Sequence, residues 1–172
     1  IFERHGREIA AVIVEPVPAN NGLLLQTEEF LKGVASLARE SGTLLVFDEV
    51  ITGFRVAFGG MAARTGIRPD LVTYGKIIGG GFPVGAYGGR AVLMDQIAPM
   101  GPVYQAGTLS ANPVAMAAGL AMLKKLKNGN LYSALESATD ELALEMEKIA
   151  ARAGVRLKVQ RYSSMFWIAM GE

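Results

Sequence analysis

The sequence of 172 residues has no cysteine and a single histidine, His5. The first absence excludes a disulfide framework, a thiolate metal site and a cysteine nucleophile. His5 alone cannot build a zinc site or a histidine-paired triad, and between Arg4 and Arg7 it reads as a solvated residue. No metal site is expected. An excess of one charge is missing too: 17 Lys+Arg face 16 Asp+Glu, for a net charge of +1. No electrostatic footprint for nucleic acid or an anionic membrane follows from that balance. No apolar run approaches the ~20 residues that cross a bilayer, and charges interrupt the opening IFERHGREIA, so it is no signal peptide. The expectation is a soluble, cytoplasmic protein. Its start at Ile1 rather than at a methionine reads as an internal piece of a longer chain.

Apolar residues make up 51% of the sequence, ample for a core, while charged residues reach only 19%, under the ~25% usual for soluble domains. A surface so poor in charge suggests cover by another segment or subunit. Ile9 to Val14 is an apolar run stopped by Glu15-Pro16 and reads as a buried strand. Thr27 before Glu28 and Glu29 reads as a helix cap. Phe30, Leu31, Val34, Leu37 and Ala38 continue at helical spacing as far as Gly42. Thr43 to Phe47 is a second buried strand, so the three elements form a βαβ unit with parallel strands. Leu71 to Tyr74 and Val84 to Tyr87 are further strands. Asn112-Pro113 opens a helix whose faces are almost all apolar, which predicts burial. Asn128-Gly129-Asn130 is the clearest break and divides the chain into 1–128 and 129–172. A helix follows from Leu131 to Gly154, with Ser133 and Glu136 as a candidate capping box. Val155 to Val159 and Met165 to Met170 read as strands. The 21 glycines cluster between Gly53 and Gly119, where backbone must approach a ligand or another chain closely.

Asp48 directly follows an apolar strand, so it stands at the C-terminal edge where open α/β sheets bind ligands. Lys76 follows another strand and should share that edge. In the setting YGKIIGGG it reads as poorly solvated, which favours a neutral, nucleophilic amine. Three readings stay open on these residues. One is a structural Asp48–Lys76 ion pair. Another takes LLVFDE as a Walker B strand, with Asp48 on magnesium and Glu49 polarising water, although the sequence has no G-x-x-x-x-G-K-S/T loop and Ile77 offers magnesium no hydroxyl. The third is a lysine imine to pyridoxal phosphate, with Asp48 keeping the ring nitrogen protonated so that the ring acts as an electron sink.

Three blocks narrow the choice: DEVITGFR (Asp48 to Arg55), YGKIIGGGFPVGAYGG (Tyr74 to Gly89) and GPVYQAGTLSANP (Gly101 to Pro113). In order and spacing they resemble the class III pyridoxal-phosphate-dependent aminotransferases, over about Ile9 to Leu126. Phe54-Arg55 and YQAGTLS are most similar to the intramolecular, aminomutase branch of that family. Those isomerases convert glutamate 1-semialdehyde to 5-aminolevulinate for tetrapyrroles. Another, intermolecular (omega) class III aminotransferase is the alternative.

The resemblance implies an α/β fold, the large domain of a fold-type I pyridoxal-phosphate transferase. Its sheet is mostly parallel with helices on both faces, and residues 129–172 begin a C-terminal α+β domain. It implies pyridoxal 5'-phosphate as cofactor, passing through the pyridoxamine 5'-phosphate form. It also implies a small-molecule substrate and a homodimer with shared sites. By the same resemblance Lys76 binds the cofactor as an imine and then shuttles protons, and Asp48 pairs with the ring nitrogen. Val50 packs on one ring face, or is ordinary core. Thr108, after Gly107, reaches the phosphate of the neighbouring subunit's cofactor, or is a turn residue. Tyr104 stands at the mouth of the site, Asn20 near the cofactor's phenolic oxygen, and Glu15 in a supporting network. The sequence departs from the family at PANNG before Leu23, where AGNMG is commoner, and at Ile51 and Ala111, commonly Met and Gly. A phosphate-cradling loop, a ring-stacking aromatic residue and a substrate-carboxylate arginine are expected outside these residues, so the chain carries one half of a site.

Overall fold

The computed structural model describes residues 1–128 and 130–171. After a short helix α1 (Phe2–His5), strands β1 (Ala11–Val14), β2 (Leu44–Asp48), β3 (Leu71–Tyr74) and β4 (Ala86–Gly89) lie in that order in one sheet. The first three run parallel and β4 pairs antiparallel on the edge. The fourth strand thus begins two residues later than its apolar run suggests, because Val84 and Gly85 are spent on the approach to the edge. Helix α2 (Glu28–Ser41) makes the crossover between β1 and β2. Thr27 Oγ1 accepts from Phe30 N at 3.1 Å, and Gly42 closes the helix in the left-handed region at φ 72°, as its cap residues dictate. Leu31 and Ala38 bury against Leu45, Phe47 and Ile67. Phe30 and Leu37, also on the predicted stripe, face outward instead.

The opposite edge of the sheet is fastened by Asp70. Its Oδ2 accepts from Leu45 N and its Oδ1 from Arg90 Nη1, both at 2.9 Å, which joins β2 to the β3–β4 pair. Partial burial pushes the Asp70 carboxyl up, but the bond from Leu45, the Arg90 bond and the charges of Arg90 and Arg39 outweigh it. The carboxyl is therefore held below its ordinary value. A depressed folded-state value stabilises the protein above the unfolded carboxylate value and loses that contribution as pH falls through the folded one. Asp70→Asn is expected to lower stability by about 1–2 kcal/mol at neutral pH. Urea midpoints measured from pH 7 down to pH 3 should show the gap to wild type closing in the acid range; a gap constant with pH contradicts the assignment.

Short helices α3 (Gly60–Thr65) and α4 (Ala91–Met94) lie in the connections, and α5 (Pro113–Lys127) follows, capped by Asn112, whose Oδ1 accepts from Val114 N and Ala115 N. Helix α5 packs on a short 3-10 helix, Lys76–Gly79. The approach is close: a side-chain carbon at Gly119 would stand 2.5 Å from Ile78 O, which only glycine avoids. The prediction that α5 is buried all round is corrected here. Only Ala115, Gly119 and Leu126 are buried, whereas Val114, Met116 and Leu120 face outward, because one face alone meets the sheet side.

Helix α6 (Asn130–Arg152) packs against an antiparallel hairpin of β5 (Leu157–Tyr162) and β6 (Met165–Met170). Gly129, at the predicted break, lies outside the described residues. The proposed capping box does not form: Ser133 sits inside the first turn and its hydroxyl donates to Asn130 O at 3.2 Å, while Glu136 pairs with Arg64 at 3.7 Å. The hairpin turn is joined to the sheet unit. Met165 shares a core with Val17, Leu23, Val56 and Met61, and Tyr132 donates to Phe54 O. Among the described residues no helix is long and apolar enough to cross a membrane.

Candidate active site

Because β2 and β3 are parallel, with Asp48 beside Thr73 in register, their chain continuations leave from one edge of the sheet. Asp48 is the last residue of β2. Its Oδ1 accepts from Val50 N at 3.0 Å and from Thr73 Oγ1 at 3.1 Å, which fixes the carboxylate. Its Oδ2 receives no bond from the described residues. Lys76 stands just beyond the end of β3 and does not pair with Asp48, so the structural ion pair is not formed.

Lys76 holds φ 47°, a left-handed backbone that costs a non-glycine residue roughly 1–3 kcal/mol. Strain of this kind collects at functional positions. The amine was expected to be poorly solvated; instead the side chain is exposed, because α5 packs on the backbone of the turn and leaves the side chain free. Val50 sits against the same turn, its Cγ1 3.2 Å from where a side-chain carbon at Gly75 would stand. Lys76, Asp48 and Val50 are thereby gathered at one edge, and the half-buried Glu15 follows β1 on it.

Lys76 borders a cavity of about 550 Å³ whose lining includes Leu23, Arg55, Met122, Ser164 and Met165. Asn20 is exposed and next to Ala19, which lines this cavity, but does not line it itself. Gly107, Thr108 and Tyr104 are not brought to Lys76. They lie on an exposed loop, Tyr104 at 83% exposure, and Gly107 lines a separate cavity with Pro83, Val84 and Ala111. Ala111, where the family commonly has glycine, takes φ 55°.

One cavity-lining residue escaped the sequence reading, and one candidate of that reading is structural. Arg55 was only a family marker, yet it faces the cavity and its Nη2 donates to Ser164 O at 2.9 Å. Glu49 was a candidate for polarising water. It is fully buried, and its oxygens accept from Thr52 Oγ1, Met61 N and Ala62 N at 2.7–3.0 Å. It holds the start of α3, and with both oxygens engaged it cannot serve as a Walker B glutamate. Nearby Tyr74 has its hydroxyl pushed above the ordinary value, by burial first and by the Glu49 charge second.

A tethered carboxylate with one open oxygen, and a primary amine without a partner among the described residues, stand on one edge and are the two groups that a flat ring with an N–H at one end and a carbonyl at the other would engage. That chemistry matches pyridoxal phosphate. Known proteins agree. The family model for aminotransferase class-III matches residues 1–170, which removes the ATPase reading. The glutamate-1-semialdehyde 2,1-aminomutase of Bdellovibrio bacteriovorus is 57% identical over 168 residues, 98% of this chain and 39% of that protein. An omega-transaminase from Sphaerobacter thermophilus superposes with TM-score 0.89 at 40% identity, over 99% of this chain and 39% of that one. A transaminase solved with PLP bound does so with TM-score 0.90 at 29% identity, over 99% and 41%. The chain spans about two fifths of the length of these relatives. Its mostly parallel α/β sheet is that of fold-type I. With a match along nearly its whole length, and the lysine and carboxylate on one sheet edge, the chain belongs to the class III aminotransferases.

Proposed function

We propose that this chain supplies the lysine–carboxylate half of a pyridoxal-phosphate enzyme that moves an amino group within glutamate 1-semialdehyde to give 5-aminolevulinate. The observation that carries the reading is the placement of Lys76 and the open Oδ2 of Asp48, unpaired with each other, at one sheet edge, in a chain 57% identical to an aminomutase. Bound pyridoxal phosphate supplies an electron sink for the negative charge left on a deprotonated carbon. The residues of this chain do the rest. Asp48 Oδ2 accepts the ring N–H and holds that proton in place, while Thr73 and Val50 N keep the carboxylate from turning. Lys76 anchors the cofactor through its amine, then takes and returns a proton at the substrate carbon. Val50, which abuts the turn at Gly75, would cover one face of the ring. Leu23, Met122 and Met165 keep water from the reacting atoms.

The same reading makes the full-length protein a homodimer with shared sites. The exposed loop with Tyr104, Gly107 and Thr108 then serves the partner's phosphate, Asn20 flanks the ring oxygen and Glu15 supports the edge. Residues 1–128 belong to the cofactor-binding domain and 129–172 to the opening of the small one, in a cytoplasmic enzyme. A second reading, transfer between two molecules, draws on the 40% identity to an omega-transaminase. Incubating the full-length enzyme with glutamate 1-semialdehyde and no added amino acceptor separates them. Steady 5-aminolevulinate formation is expected, and a strict need for an acceptor overturns the aminomutase reading.

Asp48→Asn tests the carboxylate. The amide keeps an acceptor for Val50 N and Thr73 Oγ1, but presents N–H where the ring needs an acceptor. The expected loss is about 10²–10³-fold in kcat, with thermal unfolding nearly unchanged. A variant that unfolds early but turns over normally when folded assigns Asp48 to structure alone.

A further inference from the structure

At the end of the sheet away from Lys76, three arginines from separate parts of the chain line one cavity of about 250 Å³. Arg39 comes from the last turn of α2, Arg68 from the connection between α3 and β3, and Arg90 from just after β4. Asp70 is the one carboxylate in that lining. Both its oxygens are taken, by Leu45 N and by Arg90 Nη1. Arg39 reaches Asp70 through its charge alone, and the Arg68 side chain has no hydrogen bond or ion pair among the described residues. A second cavity, of about 420 Å³, shares Arg39 and Arg68 with the first and adds Lys32, Ser36 and Thr65. Among the described residues no carboxylate lines it, and Lys32 is already paired with Glu28 at 2.6 Å.

Structural duties cover part of this cluster. A cation in the last turn of α2 meets the negative end of the helix, which accounts for Arg39, and Asp70 accounts for Arg90. Neither duty explains Arg68, or why two guanidiniums without a partnered carboxylate share the wall between two cavities. Gathered like charges repel, and solvent and salt screen that repulsion only in part. The backbone nevertheless holds them there. Pro69 disfavours a helical conformation at Arg68; Asp70 N donates to Leu45 O at 2.8 Å and Arg90 N to Asp70 O at 3.0 Å. Donors carried on an ordered backbone lose less freedom on binding, and guanidinium forks match the oxygens of a phosphate.

The geometry points to an anion site at the end of the sheet opposite Lys76, where Arg39 and Arg68 grip a diphosphate group between the two cavities and Arg90 adds a third donor. Two cavities that meet at one pair of guanidiniums suit two linked phosphoryl groups better than one. The ligand class is a diphosphate, as the free ion or as the ester of a small molecule.

The test is a calorimetric titration of full-length holoenzyme, whose bound pyridoxal phosphate already fills the cofactor's own phosphate contacts. Inorganic diphosphate, without magnesium and at an ionic strength fixed with sodium chloride, should bind saturably, one per chain, and about 10-fold or more tighter than inorganic phosphate. Arg68→Gln and Arg39→Gln should each weaken it about 10–100-fold. Arg68→Lys, which keeps the charge and loses the fork, should fall between Arg68→Gln and wild type. Neither arginine stands at the edge of Asp48 and Lys76, so kcat and KM should stay at wild-type values in all three variants. Repeating the titration with a nucleoside diphosphate separates the sources: tighter binding than the free ion assigns the site to an ester, equal or weaker binding to the ion itself. Diphosphate that does not saturate wild type, or that binds both glutamine variants as well as wild type, overturns the site. So does a carboxylate from the rest of the longer protein in the same place, seen as no diphosphate binding together with a lowered unfolding temperature in Arg68→Gln. The binding readout needs no turnover, so it judges this site separately from the function proposed above.

Discussion

Lys76→Ala in the full-length enzyme is expected to lower 5-aminolevulinate formation by about 10³-fold or more, since on the function proposed above one side chain both anchors the cofactor and moves the proton. Two features make the effect separable from misfolding. The Lys76 side chain is exposed and engaged in no hydrogen bond or ion pair among the described residues, so its removal takes no packing away. Its backbone at φ 47° is strained for alanine as for lysine, so stability should shift by less than about 1 kcal/mol. A readout apart from turnover is covalent fixation: borohydride should link pyridoxal phosphate to the wild-type chain at Lys76, seen by peptide mass spectrometry, and to no residue of the variant. An amine such as methylamine, added to the variant, should restore part of the proton transfer. Turnover retained without it would remove Lys76 from the mechanism.

The parts legible in the sequence were those that local rules set. Thr27, Glu28 and Gly42 announced α2 because capping is decided within a turn. An apolar run ending in Asp48 announced both a strand and the sheet edge at which it stops, and the parallel pairing of β2 with β3 placed Lys76 on that edge. What failed depended on partners distant in sequence. The apolar helix α5 reads as buried from composition, yet only the face bearing Ala115 and Gly119 meets the chain. Ser133 and Glu136 had capping-box spacing, but helix α6 starts at Asn130, so the serine falls inside the first turn. Arg55 and Ser164 are 109 residues apart, and no periodicity or spacing links them. The solvation of Lys76 was misjudged because its neighbours in sequence are apolar while its neighbours in space leave it open.

The largest expected loss of stability comes from Glu49, which the sequence offered as a chemical residue. Its carboxylate is the common acceptor for Thr52 Oγ1, Met61 N and Ala62 N, and the last two open α3, where a negative charge also meets the positive end of the helix. Glu49→Ala strands three donors in a fully buried site and should cost about 3–5 kcal/mol in urea unfolding. Gly60→Ala should cost a comparable amount by a different route. The backbone there is at φ 62°, and a side-chain carbon would lie 2.1 Å from Glu49 Oε2. Since both changes act on one contact, the double variant should cost less than the two single losses together, by about 1–3 kcal/mol: without the carboxylate, the new methyl has room. Strict additivity would mean that Gly60 is needed for its backbone angle alone. Glu49→Gln adds a check that no unfolding can mimic. It removes the charge beside Tyr74, so the phenol should titrate at lower pH than in wild type, yet still above an ordinary tyrosine, because burial, the larger cause, persists. KM and kcat of the folded Glu49→Gln enzyme should stay near wild type, as befits a carboxylate whose oxygens are already taken by the chain.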